Sequence, residues 1–282
     1  TEAAVYGSSR RAQAALMILD PDAPPPPSAR PPSDWPQPET ADSALEWVKT
    51  RPWDTNPWGA GSHSMRAMRH LLEWHKEGLI PLEPLVRCLK WVYEVQNPDT
   101  GLWGGENTAL FLRINGTFKL FPLIRAELDL PLPHADRIID SVLTEFYRPD
   151  YDEKVGACDE WDNWYVILHA MPCAPGHRED ELRRLAAWRI LRIMENHQKP
   201  DGGLSYSKDV CGPKWNWFDY SEKIPQGDAC ALSTFVPALG ACVDLAEVRE
   251  QTGWQGWRAA AAQFGGGESE ELRRTIREAV FG

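Results

Sequence analysis

Apolar residues recur along the chain mainly at helical spacing. Leu85, Val86, Leu89, Val92 and Tyr93 mark the buried side of a helix spanning about 82–96. Ile138, Ile139, Val142, Leu143 and Phe146 do the same over 134–146. Residues 179–197 read as a long helix rich in Leu and Arg, 228–245 as an Ala/Leu/Val-rich one, and 268–280 as a closing amphipathic one. Shorter helices are expected at 2–19 and 42–51. Another opens at Gly61-Ser62-His63, one is entered at Asn115-Gly116 and ends near Leu128, and one runs from Asp159 to Met171. The Pro-rich stretch 20–38 predicts an extended connector, and Gly265-Gly266-Gly267 a break. No stretch alternates apolar and polar residues between hairpin turns, so the chain is expected to be all-α.

One heptapeptide occurs twice. Gln96-Asn97-Pro98-Asp99-Thr100-Gly101-Leu102 returns as Gln198-Lys199-Pro200-Asp201-Gly202-Gly203-Leu204, identical at five of seven positions and 102 residues further on. Each copy ends an apolar helical run and leads into a Gly-rich turn. Repeated units of this kind stack, because none buries its apolar face alone. The pattern predicts an α/α toroid of about five helical hairpins, with long amphipathic helices outside, small-residue helices inside, and the inner helix starts at one mouth. Residues 1–38 would pack on that toroid, and 39–282 would form it.

The repeat turns, with Trp91 before the first and Trp103 after it, resemble those of the terpenoid cyclase and protein prenyltransferase superfamily. In that family a DG or DTG turn, bracketed by Gln and an aromatic residue, joins outer and inner helices. The resemblance implies the toroid. It does not carry the activities, because the motifs differ. The string nearest the cyclase acid motif, Asp150-Tyr151-Asp152-Glu153, does not sit at an inner-helix entry. Asp209-Val210-Cys211 matches the prenyltransferase zinc pair, but no histidine follows His197.

A net charge of −11 argues against a general nucleic-acid surface. No run of eighteen apolar residues occurs, so no integral membrane segment is expected. No signal-like segment is evident either. Thr1 in place of Met reads as a trimmed start, and the compartment is left unassigned. The six cysteines form no CxxC pair and read as reduced and mostly buried. No cofactor or metal motif is found, so none is expected.

Three polar clusters can carry chemistry. On a helix starting near Asp159, Asp162, Tyr165 and His169 share one face, placing a carboxylate, a phenol and an imidazole beside Trp161, Asn163 and Trp164. The plainer alternative is that Asp159 caps the helix while Tyr165 and His169 sit in the core. Arg113, Asn115 and Lys119 form a second cluster at an expected helix start, where cations serve an anionic group or pair with Glu106 or Asp159. His63 and Trp58 mark a third entry. Tyr206, Trp215, Trp217 and Asp228 belong to the long 198–227 loop, expected as a lid, and Trp103 joins them as a sugar-stacking surface.

These groups suit acid/base work on a sugar. Asp159, Asp162, Tyr165, His169 and His63 are the expected catalytic set. Trp58, Trp103, Arg113, Asn115, Lys119, Trp161, Asn163, Tyr206, Trp215, Trp217 and Asp228 are the expected substrate contacts. The function expected is a glycoside hydrolase or polysaccharide lyase acting on an oligosaccharide or other small molecule. A terpenoid-cyclase-like enzyme using Asp152 or Asp162 as acid, or a non-catalytic scaffold, are the alternatives.

Overall fold

The computed structural model describes residues 41–212, 214–215, 218–219, 224–253 and 269–282. The expected 2–19 helix, the 20–38 connector, the 265–267 break and Trp217 lie outside these residues, as does the side chain of Trp215. The helices are α1 (Ala41–Lys49), α2 (Pro57–Lys76), α3 (Glu83–Glu94), α4 (Leu110–Phe121), α5 (Ala135–Phe146), α6 (Tyr151–Lys154), α7 (Ala157–Ala170), α8 (Glu179–His197), α9 (Ala229–Leu245), α10 (Arg249–Thr252) and α11 (Glu270–Phe281). The only sheet among the described residues is a hairpin of two-residue strands, Lys214–Trp215 and Phe218–Asp219. The protein is all-α, as its periodicity predicts.

Helix pairs alternate along the chain. α2 packs on α4, α4 on α7, and α7 on α9, forming one row. α1 lies against α3, α5 against α7 and α8 against α9, so α1, α3, α5 and α8 back that row. The expected difference in length is not seen, since α2, in the row, has 20 residues and α1, behind it, has 9. α11 packs on α3. The closest approach is between α2 and α4. A Cβ added at Gly61 would stand 2.5 Å from the Gly116 carbonyl oxygen, and one at Gly116 would stand 2.8 Å from the Pro57 carbonyl oxygen. Neither contact can relax by moving a flexible side chain, since both face backbone. Gly61→Ala is expected to lower stability by about 1–3 kcal/mol, as overpacking does, measured by urea unfolding. An unchanged midpoint would refute the close crossing.

Two helix starts differ from expectation. α2 begins at Pro57, because Asn56 accepts the Gly59 N–H at 3.0 Å and proline fits the first turn. Gly61-Ser62-His63 therefore lies inside the helix. α4 begins at Leu110 and continues through Pro122 into a wide π-type turn over Pro122–Glu127. Pro122 has no N–H to donate, and the ladder resumes with Leu128 N–H donating to Leu123 O at 2.9 Å. Arg113 and Asn115 are thus mid-helix. Lys119 lies in the last turn, where the helix dipole favours a cation. The argument from unfavourable charge at a helix start does not hold for these three.

The repeated turns both close outer helices, α3 and α8, and lead toward α4 and α9. In the first, Gln96 is buried and its amide donates to Gly101 O at 2.8 Å and Pro133 O at 2.9 Å. Gly101 takes φ +68°, and a Cβ there would meet Ile138 at 2.5 Å. In the second, Gln198 is exposed, and Asp201 instead ties the turn to Gly203 N–H at 2.9 Å and Gly227 N–H at 3.0 Å. The backbone repeats while its fastening changes.

Behind the inner row lies a buried ion pair. Arg189 of α8 and Glu160 of α7 are both fully buried, and the guanidinium binds the carboxylate through Nε at 3.1 Å and Nη2 at 2.8 Å. Trp164 Nε1–H donates to Glu160 at 2.9 Å and the Tyr151 hydroxyl at 3.1 Å. Arg189 also donates to Asp152. Read from its helical spacing alone, Arg189 passes for a surface residue. It is the polar centre of the core.

Candidate functional site

The starts of α2, α7 and α9 are linked to one another through the middle of α4 and through Tyr206. Pro57, first in α2, lies against Gly116 of α4. Asn115 of α4 donates through Nδ2 to Asp159 Oδ1, in the first turn of α7, at 2.9 Å. Ala157 N–H donates to Tyr206 O at 3.0 Å, and Tyr206 N–H to the α9 cap Asp228 at 2.8 Å. Together these contacts bring residues from distant parts of the chain to a common rim: Trp58, Asn115, Lys119, Asp159, Asp162, Tyr206 and Asp228.

Two carboxyls occupy consecutive turns of α7. Asp159 accepts from Asn115 and, at 3.3 Å, from its own helix's Gly156 N–H. Burial pushes its pKa up, against the pull of those two donors. Asp162 is 3 % exposed, and among the described residues no hydrogen bond or ion pair holds its carboxyl. Burial drives its pKa well above the carboxylate range. Lys119 opposes that shift from α4, while Cys158 and Asp159 reinforce it. Asp162 therefore keeps its proton to higher pH than an ordinary carboxyl does. Lys119 carries its ammonium 4.4 Å from the centre of the Phe118 ring and 5.2 Å from that of Trp58, which is 44 % exposed.

Asp159 also lines a cleft of about 360 Å³ with Phe111, Glu145, Arg148, Tyr151, Lys154 and Val155. Glu145, from α5, pairs with Arg148 at 2.9 Å. Burial raises the Glu145 pKa, Arg148 lowers it, and Asp159 adds a further upward push. Sequence reading missed Glu145 because it belongs to a charged outer helix. Larger surface hollows, about 610 Å³ along 176–184 and about 490 Å³ beside Trp53 and Trp91, contain none of the expected site residues.

The remaining expected residues divide clearly. Tyr165 and His169 do continue the row from Asp162, with ring centres 4.4 Å apart, but both are buried. Tyr165 also packs edge-on against Phe118 at 5.0 Å and Trp161 at 5.3 Å. Burial raises the Tyr165 pKa and lowers that of His169 to about 4, so both are neutral and sit below the mouth. Trp161 is buried, and His63 is half-buried on the second turn of α2.

Four expected substrate contacts are structural. Trp103 is fully buried and donates from Nε1 to Val92 O at 2.6 Å. Asn163 donates to the Tyr151 hydroxyl at 2.8 Å, within the Glu160 network. Arg113 binds Thr100 Oγ1 at 2.7 Å, facing the repeat turn rather than Asp159. Asp228 caps α9 through Ala231 N–H at 2.7 Å and also accepts from Gly212 N–H at 3.0 Å, which positions Tyr206. Asp152, the other candidate acid, is half-buried, yet Arg189 and Arg192 hold it below its ordinary range. It cannot serve as a proton donor at neutral pH. Cys211 of the zinc-like pair is buried, and among the described residues no group of three or more His, Cys, Asp or Glu is arranged to hold a metal.

Two cysteines that the sequence reading did not pair lie beside these residues. Cys158 and Cys230 are the second residues of α7 and α9, each preceded by alanine. That Ala-Cys pair after a helix cap was the available signal. The described helices include none long and apolar enough to cross a membrane. Compared with known proteins, the chain matches no family model, no curated protein and no solved structure.

Proposed function

We propose that the protein is a glycoside hydrolase built on an α/α toroid. α2, α4, α7 and α9 form consecutive inner helices of the ring, and α1, α3, α5 and α8 its outer layer. The order of packing and the links among the starts of α2, α7 and α9 support this arrangement. The observation that carries the activity is the pair Asp159 and Asp162. The two carboxyls stand one turn apart, both with raised pKa, and among the described residues no hydrogen bond holds Asp162.

In this reading Asp162 protonates the glycosidic oxygen as general acid. Asp159, steered by Asn115, activates the water, and its carboxylate favours the developing oxocarbenium charge. Trp58 offers an exposed ring face to a sugar, and Asp159 faces a cleft that it shares with Glu145 but not with Trp58 or Asp162. A lyase is less well served. It needs a base that takes a proton, and the Tyr165 phenol, with its raised pKa, is buried below the mouth.

One observation favours a second reading. Asp162 is a buried acid one turn before Tyr165, whose ring packs against Phe118 and Trp161, and a terpenoid-cyclase-like enzyme would need an acid beside aromatic rings to start a carbocation. The test is a turnover screen of wild type and Asp162→Asn on neutral and acidic glycans and on prenyl diphosphates. Glycan hydrolysis lost in the variant supports the first reading, and prenyl diphosphate cyclisation lost in the variant supports the second. Turnover of neither panel, or turnover unaffected by the substitution, removes the assignment.

A further inference from the structure

Cys158 and Cys230 hold the same position on two neighbouring helices, and the starts of those helices are tied together through Tyr206 and Asp228. The backbone N–H of Ala157 and the carboxyl of Asp228, each within two residues of one of the cysteines, bind the backbone of the same residue, Tyr206, and Cys230 and the Tyr206 hydroxyl are near enough to Cys158 to act on its thiol. Both cysteines are only half-buried, whereas Cys88, Cys211 and Cys242 are buried. We propose that Cys158 and Cys230 are a redox-active dithiol, which low-molecular-weight disulfides convert to a Cys158–Cys230 disulfide joining the starts of α7 and α9.

The surroundings favour the reacting thiolate. The neighbouring Cys230 thiol brings Cys158 down to about 7, against the effect of its burial. The Tyr206 hydroxyl and the Lys119 charge help, and Asp159 opposes. The groups facing the pair come from every element around it: Lys119 from α4, Asp159 and Asp162 from α7, Tyr206 from the 198–227 loop, and Cys230 itself from α9. The buried thiols behave in the opposite way. Burial pushes Cys88 up to about 12 and Cys242 well above its ordinary value, so neither competes.

The chemistry is two successive exchanges. The Cys158 thiolate attacks one sulfur of the disulfide RSSR. The S–S bond breaks, one RS⁻ leaves and takes up a proton, and R–S remains on Cys158. Cys230 then loses its proton and attacks the Cys158 sulfur, expelling the second RS⁻, which is protonated in turn. Two protein thiols are oxidised by two electrons, and RSSR is reduced to two RSH. This inference does not depend on the hydrolase reading, because it concerns thiols alone.

The test uses the full chain in mixtures of oxidised and reduced glutathione. The reaction is quenched with acid, remaining thiols are alkylated, and the peptides are mapped by mass spectrometry. The expected first product is the Cys158–Cys230 crosslink, with the other four cysteines alkylated. In Cys230→Ser, glutathione should remain on Cys158 as a mixed disulfide. In Cys158→Ser, uptake of glutathione should fall at least about tenfold, as loss of the more ionised thiol requires. Wild-type protein that accumulates the mixed disulfide on Cys158 without the crosslink, or that oxidises first at Cys173, overturns the proposal.

Discussion

Replacing Arg189 with alanine is expected to destabilise the protein by about 3–5 kcal/mol, the range for a buried ion pair deprived of one member. Folded domains have only about 5–15 kcal/mol in total, so the variant should unfold at markedly lower urea. The cause lies in the partner left behind. Glu160 is fully buried and loses both guanidinium contacts, while Asp152 loses one. Trp164 and Tyr151 still donate to Glu160, but two neutral donors do not offset an uncompensated buried charge. The double variant Arg189→Met with Glu160→Gln should be more stable than Arg189→Ala alone. It removes both charges and keeps an acceptor for Trp164. Equal loss in the single and double variants would show that packing volume, not the orphaned charge, sets the effect.

Asp162→Asn should reduce turnover by about 10²–10⁴-fold, the usual contribution of a positioned general acid, while the protein becomes more stable at neutral pH. The direction follows from proton counting. In the unfolded chain a carboxyl titrates near ~3.9. In the fold Asp162 keeps its proton to well above that. Above the unfolded pKa the native state therefore binds more protons, and wild-type stability falls as pH rises. This contribution is fully favourable below the unfolded value and is lost up to the folded one. Asparagine carries no such penalty. Its melting temperature should exceed that of wild type at pH 7, and the two should converge near pH ~4. A variant less stable than wild type at pH 7 would mean that Asp162 is ionised and paired with Lys119.

The helices were legible where one face is wet and the other buried. Glu179–His197 is the helix that the sequence outlines, and α3 buries Leu85, Leu89 and Val92 as their spacing requires. The start of α4 was not legible. Asn115-Gly116 looks like a break, yet Gly116 is there so that α2 can approach, a tertiary demand that local pattern does not reveal. The same limit hid Arg189, whose partner Glu160 lies on another helix 29 residues away.

The site was partly legible for the same reason. Asp159, Asp162, Asn115, Lys119, Trp58 and Tyr206 do come together, but Asn115 and Lys119 arrive from the middle and end of α4, through its packing on α2 and α7, and not from a helix start. Trp103, Asn163 and Arg113 were residues of suitable type whose side chains turn to the core or to the repeat turn. Cys158 and Cys230 went unnoticed because cysteines taken by number say little, whereas cysteines taken by position in a helix start say a good deal.

An infrared difference spectrum between wild type and Asp162→Asn at neutral pH tests the central claim most directly. If Asp162 keeps its proton at neutral pH, wild type should show a protonated-carboxyl carbonyl band that is missing from the variant. Carboxylate bands in its place would show that Asp162 is ionised and would remove the proposed proton donor.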